Sequence, residues 1–303
     1  MIKPNLQVQL GGVTLKNPVM PASGTFGSGN CDLIDIRKIG AIVPKSVTLT
    51  PREGNNTPRI AETTGGVLNS IGIQSEGLEY FIKNDLKYYE QYDTPIIVSI
   101  SAYSVDEFLE MVEILNKEKS INMIELNISC PNLKEGGKAF GMSEEFTYKI
   151  VKEVKNVTNK VIIPKLTPNV ADIVSIALAA EEGGADCLCV ANTHLGMAID
   201  VKSRKPRLGN IIGGLSGPAI KPISLRMVWQ VAQKVGIPII GVGGISNWED
   251  AIEYILAGAT AIQVGTYNFV NPNCMIDIVE GIEKYMIENN YFSIKELIGS
   301  VEI

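Results

Sequence analysis

From Glu125 to Asn132 the chain reads Glu-Leu-Asn-Ile-Ser-Cys-Pro-Asn. Met123, Ile124, Leu126 and Ile128 mark the end of a buried strand, and Ser129, Cys130 and Pro131 break it into a polar loop. Cys130 is thereby offered at a strand end between two carboxamides, Asn127 and Asn132. A free cysteine is often no more than a small buried apolar residue, and it becomes a base only where charge and exposure favour its thiolate. Lys45 and Lys165 end apolar runs of their own. A lysine so placed needs an anionic partner, either a carboxylate of the protein or a bound anion. Asn69, Asn127, Asn132 and Asn192 can each donate to a carbonyl and accept from an N–H, which suits a flat cyclic amide or imide. Gly241-Val-Gly-Gly-Ile245 and Gln263-Val-Gly-Thr266 bring glycine to the ends of two further runs, where backbone N–H groups can close round a phosphate.

Other chemistries find little support. His194 is the one histidine in 303 residues, which argues against a Ser-His-Asp hydrolase and most zinc sites. The five cysteines (Cys31, Cys130, Cys187, Cys189, Cys274) contain no Cys-x-x-Cys pair, so no zinc site, iron–sulfur cluster or other metal centre is readable. They point to a reducing cytoplasm. A net charge of -6 argues against nucleic-acid binding, and Lys202-Ser-Arg-Lys-Pro-Arg207 reads as a solvated basic loop. The start, Met1-Ile-Lys-Pro-Asn5, has no apolar signal region, and no run is long enough to span a membrane.

The elements that must position these residues follow a repeating rhythm. Leu6–Leu10 and Val13–Lys16 flank Gly11-Gly12, a hairpin signal. Eight short apolar runs follow: Pro18–Ala22, Ala41–Val47, Pro95–Ile100, Met123–Ile128, Val161–Leu166, Asp186–Ala191, Ile237–Val242 and Ala261–Gly265. Their character is that of strands buried on both faces of a parallel sheet. Helical patterns separate them. Ser104-Val-Asp-Glu107, Ser246-Asn-Trp-Glu249 and Ser293-Ile-Lys-Glu296 predict capping boxes, and Asn169 is expected to cap a helix over Val170–Glu182.

Eight strands alternating with helices predict an α/β fold, a (β/α)8 TIM barrel of a single domain over residues 1–303. The N-terminal β-hairpin would plug its bottom, and long loops over Thr48–Ile73 and Thr193–Ala219 would lie on its upper face. A doubly wound open sheet competes, but its usual Gly-x-Gly-x-x-Gly turn is missing. In a barrel, chemistry gathers at the C-terminal strand ends, and here these collect Ser23, Lys45, Ser46, Ser99, Asn127 to Cys130, Lys165, Ala191 to Thr193, Gly243, Gly244, Gly265 and Thr266. Glycines after the last two strands match the recurrent phosphate site of this fold, without separating a sugar phosphate from flavin mononucleotide (FMN).

Together these residues resemble the dihydroorotate dehydrogenases, the flavin enzymes of pyrimidine synthesis. The resemblance runs from Leu6 to about Val270. It is carried by Asn17-Pro-Val-Met-Pro-Ala-Ser-Gly-Thr-Phe-Gly27, Pro44-Lys-Ser46, Asn69-Ser-Ile-Gly-Ile73, Asn127-Ile-Ser-Cys-Pro-Asn132, Lys165, Asn192-Thr193, Gly214-Leu-Ser-Gly-Pro-Ala-Ile220, Gly243-Gly-Ile245 and Gly265-Thr266. Membrane-bound members carry a serine base and an N-terminal membrane segment, so Cys130 and this opening resemble the soluble, cysteine-type group. Pro21-Ala-Ser-Gly-Thr-Phe26 and Lys221-Pro-Ile-Ser-Leu-Arg-Met-Val228 resemble the NAD-linked branch.

The resemblance implies one FMN per chain, lined by Ser23, Lys45, Ser46, Asn127, Lys165, Ala191, Gly217, Gly243, Gly244, Gly265 and Thr266. Ser99 stands where this branch has an asparagine. It implies that Lys45, Asn69, Ser70, Ile71, Gly72, Ile73, Asn127, Asn132, Asn192 and Thr193 hold dihydroorotate, with Cys130 as the general base. Leu133–Met142, with its Gly-Gly pair, would be a lid. It further implies a homodimer core joined to a partner subunit that carries FAD and a 2Fe-2S cluster, as a heterotetramer. The rival readings are a fumarate-linked dihydroorotate dehydrogenase, an FMN barrel acting on another dihydropyrimidine, and a colourless sugar-phosphate or phosphate-binding barrel.

Overall fold

Seven of the eight apolar runs form parallel strands in the computed structural model, which describes residues 3–129 and 142–303 and the backbone of two short strands between them. The first strands are β1 (Val8–Leu10), β2 (Val13–Leu15), β3 (Val19–Pro21), β4 (Ile60–Thr63) and β5 (Gly66–Asn69). Then come β6 (Ile96–Ile100), β7 (Ile121–Leu126), β8 (Lys134–Glu135), β9 (Lys138–Ala139), β10 (Val161–Pro164) and β11 (Leu188–Val190). The last are β12 (His194–Met197), β13 (Ile199–Asp200), β14 (Lys205–Pro206), β15 (Ile212–Ser216), β16 (Ile239–Val242) and β17 (Ala261–Val264). Short helices α1 (Leu78–Tyr80) and α2 (Lys87–Tyr89) flank a π-helical turn. The longer ones are α3 (Val105–Leu115), α4 (Glu144–Val157), α5 (Ile173–Glu182), α6 (Lys221–Ala232), α7 (Trp248–Leu256) and α8 (Cys274–Glu288). Cys130, Asn132 and most of the expected lid lie outside the described residues.

The parallel strands pair as β10-β7-β6 and as β11-β16-β17-β3. Every residue of β6, β10, β16 and β17 is buried, which is why these runs lack an alternating polar face. The run 41–47 does not form a regular strand. Pro44 has no N–H to give to a ladder, so only Ile42 and Val47 bridge to β6. Lys165 bridges to Cys189 and links the two sheets, and Gly40 N donates to Val19 O at 2.7 Å on the other side.

Outside the strands, neighbouring helices from α3 to α8 pack against one another in order. Their apolar faces join the strands in one core that runs from Leu6 to Leu297. Ser104 caps α3 by accepting from Glu107 N at 3.1 Å, and Ser293 forms the expected capping box. Two expected caps differ. Helix α5 starts at Ile173, capped by Asp172, because the Asn169 side chain is bonded instead to Thr193 O and Leu195 N. Helix α7 is capped by Asn247, since the Ser246 hydroxyl and N–H both donate to Asp250.

β1 and β2 pair antiparallel across Gly11-Gly12, whose φ values of 54° and 92° suit glycine. A Cβ at Gly11 would meet Val161 and Asp186, both at the N-terminal side of their strands. The two long loops hold structure that the sequence did not announce. They supply β4, β5, β12 and β15, which form one antiparallel sheet in the order β12-β15-β5-β4. His194, expected as a loop residue, belongs to β12. Among the described residues no helix is long and apolar enough to cross a membrane.

The contact between Gly40 and the Val19 run is tight: a Cβ at Gly40 would lie 2.2 Å from Asn17 O. Gly40→Ala should therefore lower stability by about 3 kcal/mol, read as a fall in the urea midpoint. An unchanged midpoint would show that this junction yields.

Candidate active site

Asn127, Lys165, Ala191, Gly243 and Gly265 each directly follow the last residue of a parallel strand. A common strand direction therefore gathers them at one end, together with Ser23 beyond β3 and Lys45-Ser46 before the Val47 bridge. Short polar side chains knit this end together. Ser46 Oγ and Ser99 Oγ are 2.9 Å apart and buried. Asn127 Nδ2 donates to Ser46 Oγ at 3.3 Å, and Asn127 Oδ1 accepts from Ser129 Oγ at 2.9 Å and Asn192 Nδ2 at 3.4 Å. Asn192 Nδ2 also reaches Ser129 Oγ, and Asn192 Oδ1 accepts from Thr193 N at 2.8 Å. The chain is thus anchored up to the residue before Cys130.

Beneath this network lies a buried charge cluster. Lys165 Nζ donates to Gln263 Oε1 at 2.9 Å and lies 3.6 Å from Glu125 Oε1. Gln263 Nε2 donates to Glu125 Oε2 at 2.8 Å. Burial pulls the Lys165 ammonium toward neutrality, but Glu125 more than offsets it and Lys165 stays above the usual lysine value. Lys45 has no such partner: among the described residues it makes no ion pair or hydrogen bond. Burial, and then repulsion from Lys165, lowers its pKa. Two cations against one carboxylate leave this space one positive charge in excess.

A second cluster is built from backbone. Gly217, Gly243 and Gly244 have φ of 102°, 137° and 71°. A Cβ at Gly244 would lie 2.9 Å from Gly217 O and 2.8 Å from Lys221 N, so the two turns touch. Thr266 Oγ1 donates to Ser216 Oγ at 2.8 Å and ties in the end of β17. Outside the strand ladders, no backbone acceptor among the described residues takes the N–H groups of Gly244 and Gly265. Free donors beside a helix N-terminus suit an anion.

The antiparallel sheet brings the Asn69–Ile73 segment to the same end. Asn69 Nδ2 donates to Gly214 O at 3.3 Å, and Gly214 lies against Thr193. Asn55 holds the segment from behind: its Nδ2 donates to Ser70 Oγ at 2.9 Å, and its N–H donates to Ile71 O at 3.0 Å. Gly72 and Ile73 both have positive φ, 76° and 54°. That conformation is costly for a β-branched residue such as Ile73. His194 Nε2 lies 3.4 Å from Ser224 Oγ, and burial followed by Arg226 lowers its pKa.

Comparison with known proteins agrees with this geometry. Residues 5–286 match the family model described as dihydroorotate dehydrogenase. The chain belongs to the dihydroorotate dehydrogenase family. It is 52% identical over 301 residues, 99% of each chain, to the "Dihydroorotate dehydrogenase B (NAD(+)), catalytic subunit" of Thermoanaerobacter sp. (strain X514). Proteins of the same name from Alkaliphilus oremlandii (strain OhILAs) and Bacteroides thetaiotaomicron are 53% and 49% identical, over 99% of this chain and 100% and 99% of theirs.

Ser129, one of the strand-end residues, bonds to both Asn127 and Asn192. Two participants at this end were missed from sequence. Gln263 joins Lys165 to Glu125, and its signal was a polar residue inside the buried run Ala261–Val264. Asn55 gave no signal beyond a polar loop. The described cysteines are poorly suited to act as a base. Burial, before any neighbouring charge, pushes Cys31, Cys187 and Cys274 up to about 12 and raises Cys189 as well.

Lys45 gives a test of the charge excess. Lys45→Met should stabilise the unliganded chain by about 1 kcal/mol near neutral pH, because it removes a half-buried cation that has no partner. The Lys45 pKa is lower folded than unfolded, so wild-type stability rises with pH as Lys45 deprotonates in the folded state below 10.5. The advantage of Lys45→Met in chemical denaturation should therefore shrink toward alkaline pH. A constant or growing advantage would count against an unpaired Lys45.

Proposed function

We propose that this chain oxidises (S)-dihydroorotate to orotate in pyrimidine biosynthesis, as the catalytic subunit of an NAD-linked dihydroorotate dehydrogenase. The observation that carries the reading is full-length likeness, 52% and 53% identity, to proteins of that name. The two parallel sheets and the bridged 41–47 run are arcs of one closed (β/α)8 barrel, a single domain over residues 1–303. Its hairpin lies at the bottom, where Gly11 meets Val161 and Asp186. The single core from Leu6 to Leu297 supports that reading.

The site fits FMN. The glycine turns at Gly243, Gly244 and Gly265, with Gly217 and Thr266 beside them, are suited to its phosphate. Ser23, Lys45, Ser46, Asn127, Lys165 and Ala191 line the way to it. Ser99 acts through Ser46, because its hydroxyl is fully buried and paired there. When bound, FMN supplies the acceptor for a hydride. The rest is done by this chain. Lys45 pairs its free ammonium with the substrate carboxylate. Asn69 to Ile73, Asn127, Asn132, Asn192 and Thr193 hold the ring, with carboxamides meeting its N–H and C=O groups. Cys130 takes a proton from the ring methylene as hydride leaves the neighbouring carbon. A thiol suits this step because its reference pKa, about 8.5, leaves an accessible anion near neutral pH.

NAD reduction is the work of a partner subunit carrying FAD and a 2Fe-2S cluster, docked on a homodimer of this chain in the cytoplasm. The relatives' name, catalytic subunit, implies a partner subunit of some kind and so supports this reading. Buried free cysteines fit a reducing compartment.

Cys130→Ala should keep its yellow FMN and lose about 10²- to 10⁴-fold in turnover; near-normal turnover would remove Cys130 from the role of base. Purified protein that is colourless and cannot be reconstituted would sink the flavin reading. Dihydroorotate and dihydrouracil, each assayed with NAD, fumarate and quinone, with and without the co-purified partner, separate the proposed reaction from its two flavin rivals.

A further inference from the structure

Glu125 is fully buried, yet the chemistry above gives it no task. Its Oε2 accepts from Gln263, while its Oε1 has no hydrogen-bond partner among the described residues and faces Lys165 Nζ at 3.6 Å. Gln263 Oε1 accepts from Lys165 and, at 3.4 Å, from Cys189 Sγ. Four staves thus meet on one ammonium: Glu125 from β7, Lys165 beyond β10, Cys189 from β11 and Gln263 from β17. Cys189 is held neutral by burial, and Lys45 adds only repulsion. Among the described residues Glu125 is the one carboxylate paired with Lys165. A buried ammonium without a counterion gives up its proton.

We propose that Glu125 is a positioning residue that acts with Gln263 to keep Lys165 protonated and fixed toward the flavin, so that its charge is the same before and after flavin reduction. The inference rests on the FMN reading. It gives the buried pair a consequence that packing alone would not have. With Glu125 in place, Lys165 takes up no proton when negative charge arrives on the flavin. Without that carboxylate, Lys165 is free to be neutral beside oxidised flavin and to gain a proton on reduction, so proton binding and the flavin potential become linked.

Glu125→Gln tests this, because it preserves shape and an acceptor for Gln263 while removing the charge. The double variant Glu125→Gln with Gln263→Glu restores one carboxylate to the cluster, at the position whose oxygen lies 2.9 Å from Lys165 Nζ. The two-electron potential of each FMN-loaded protein is measured across about pH 6 to 9, and its slope gives the protons taken up per reduced flavin. Glu125→Gln should take up as much as about one proton more than wild type, and the double variant should return to the wild-type count. An unchanged slope in Glu125→Gln, or a changed slope that the double variant fails to restore, overturns the proposal. If Glu125→Gln does not fold, a folded double variant with the wild-type count supports it. A double variant that also fails to fold assigns both positions to folding alone and overturns it. Wild-type protein that holds no FMN would defeat the functional reading itself, a result distinct from any of these.

Discussion

Two lysine ammonium groups share one poorly hydrated space at the strand ends, and the protein neutralises only one of them. Burying a cation is expensive unless a carboxylate and well-placed hydrogen bonds compensate it. Lys165 has both, from Glu125 and Gln263. Lys45 has neither among the described residues, and its repulsion from Lys165 adds to the cost. The asymmetry separates a fixed charge from an available one. A site with one uncompensated positive charge is ready for an anion, and its energy improves when the anion arrives. The structure carries this cost because the surrounding strands are buried and draw on a continuous apolar core.

The polar network above the charges depends on the same rigidity. Ser99, Ser46, Asn127, Ser129 and Asn192 come from different parts of the chain and meet within hydrogen-bonding distance. Short side chains on strand ends have few rotamers to lose, so they hold position better than long loop side chains. The glycine turns complement them from the other side. Gly243 and Gly244 adopt positive φ, so backbone rather than side chain lines this turn. The carboxamide-rich region and the glycine turns are thus two chemically distinct parts of this end.

Much of this was legible because it depends on local pattern. Seven apolar runs became parallel strands, and the strand-end residues were found at, or just beyond, the last positions of those runs. What failed was finer. Run 41–47 has strand-like composition, but Pro44 withholds a donor from its middle. Asn169 and Ser246 look like helix caps, yet nearby partners claim their side chains and the cap falls to Asp172 and Asn247. The antiparallel sheet was invisible for a different reason. β5 and β15 lie far apart in sequence, and neither alone shows the alternation of a half-buried strand. The pairing of Glu125 with Gln263 is equally non-local. A polar residue within an apolar run signals a buried partner without saying which.

Ser99 shows how local chemistry and long-range packing combine. A longer carboxamide at this position would extend from β6 toward the strand-end space. A serine cannot, and a lone buried hydroxyl would leave its hydrogen-bonding capacity unmet. Ser46, from the irregular run 41–47, resolves this by bringing its own hydroxyl to 2.9 Å. Asn127, just beyond β7, then closes on Ser46, so the three segments are linked by side chains as well as backbone. Ser99 is thereby satisfied without reaching past its strand, and Ser46 and Asn127 carry the hydrogen-bonded chain outward from it.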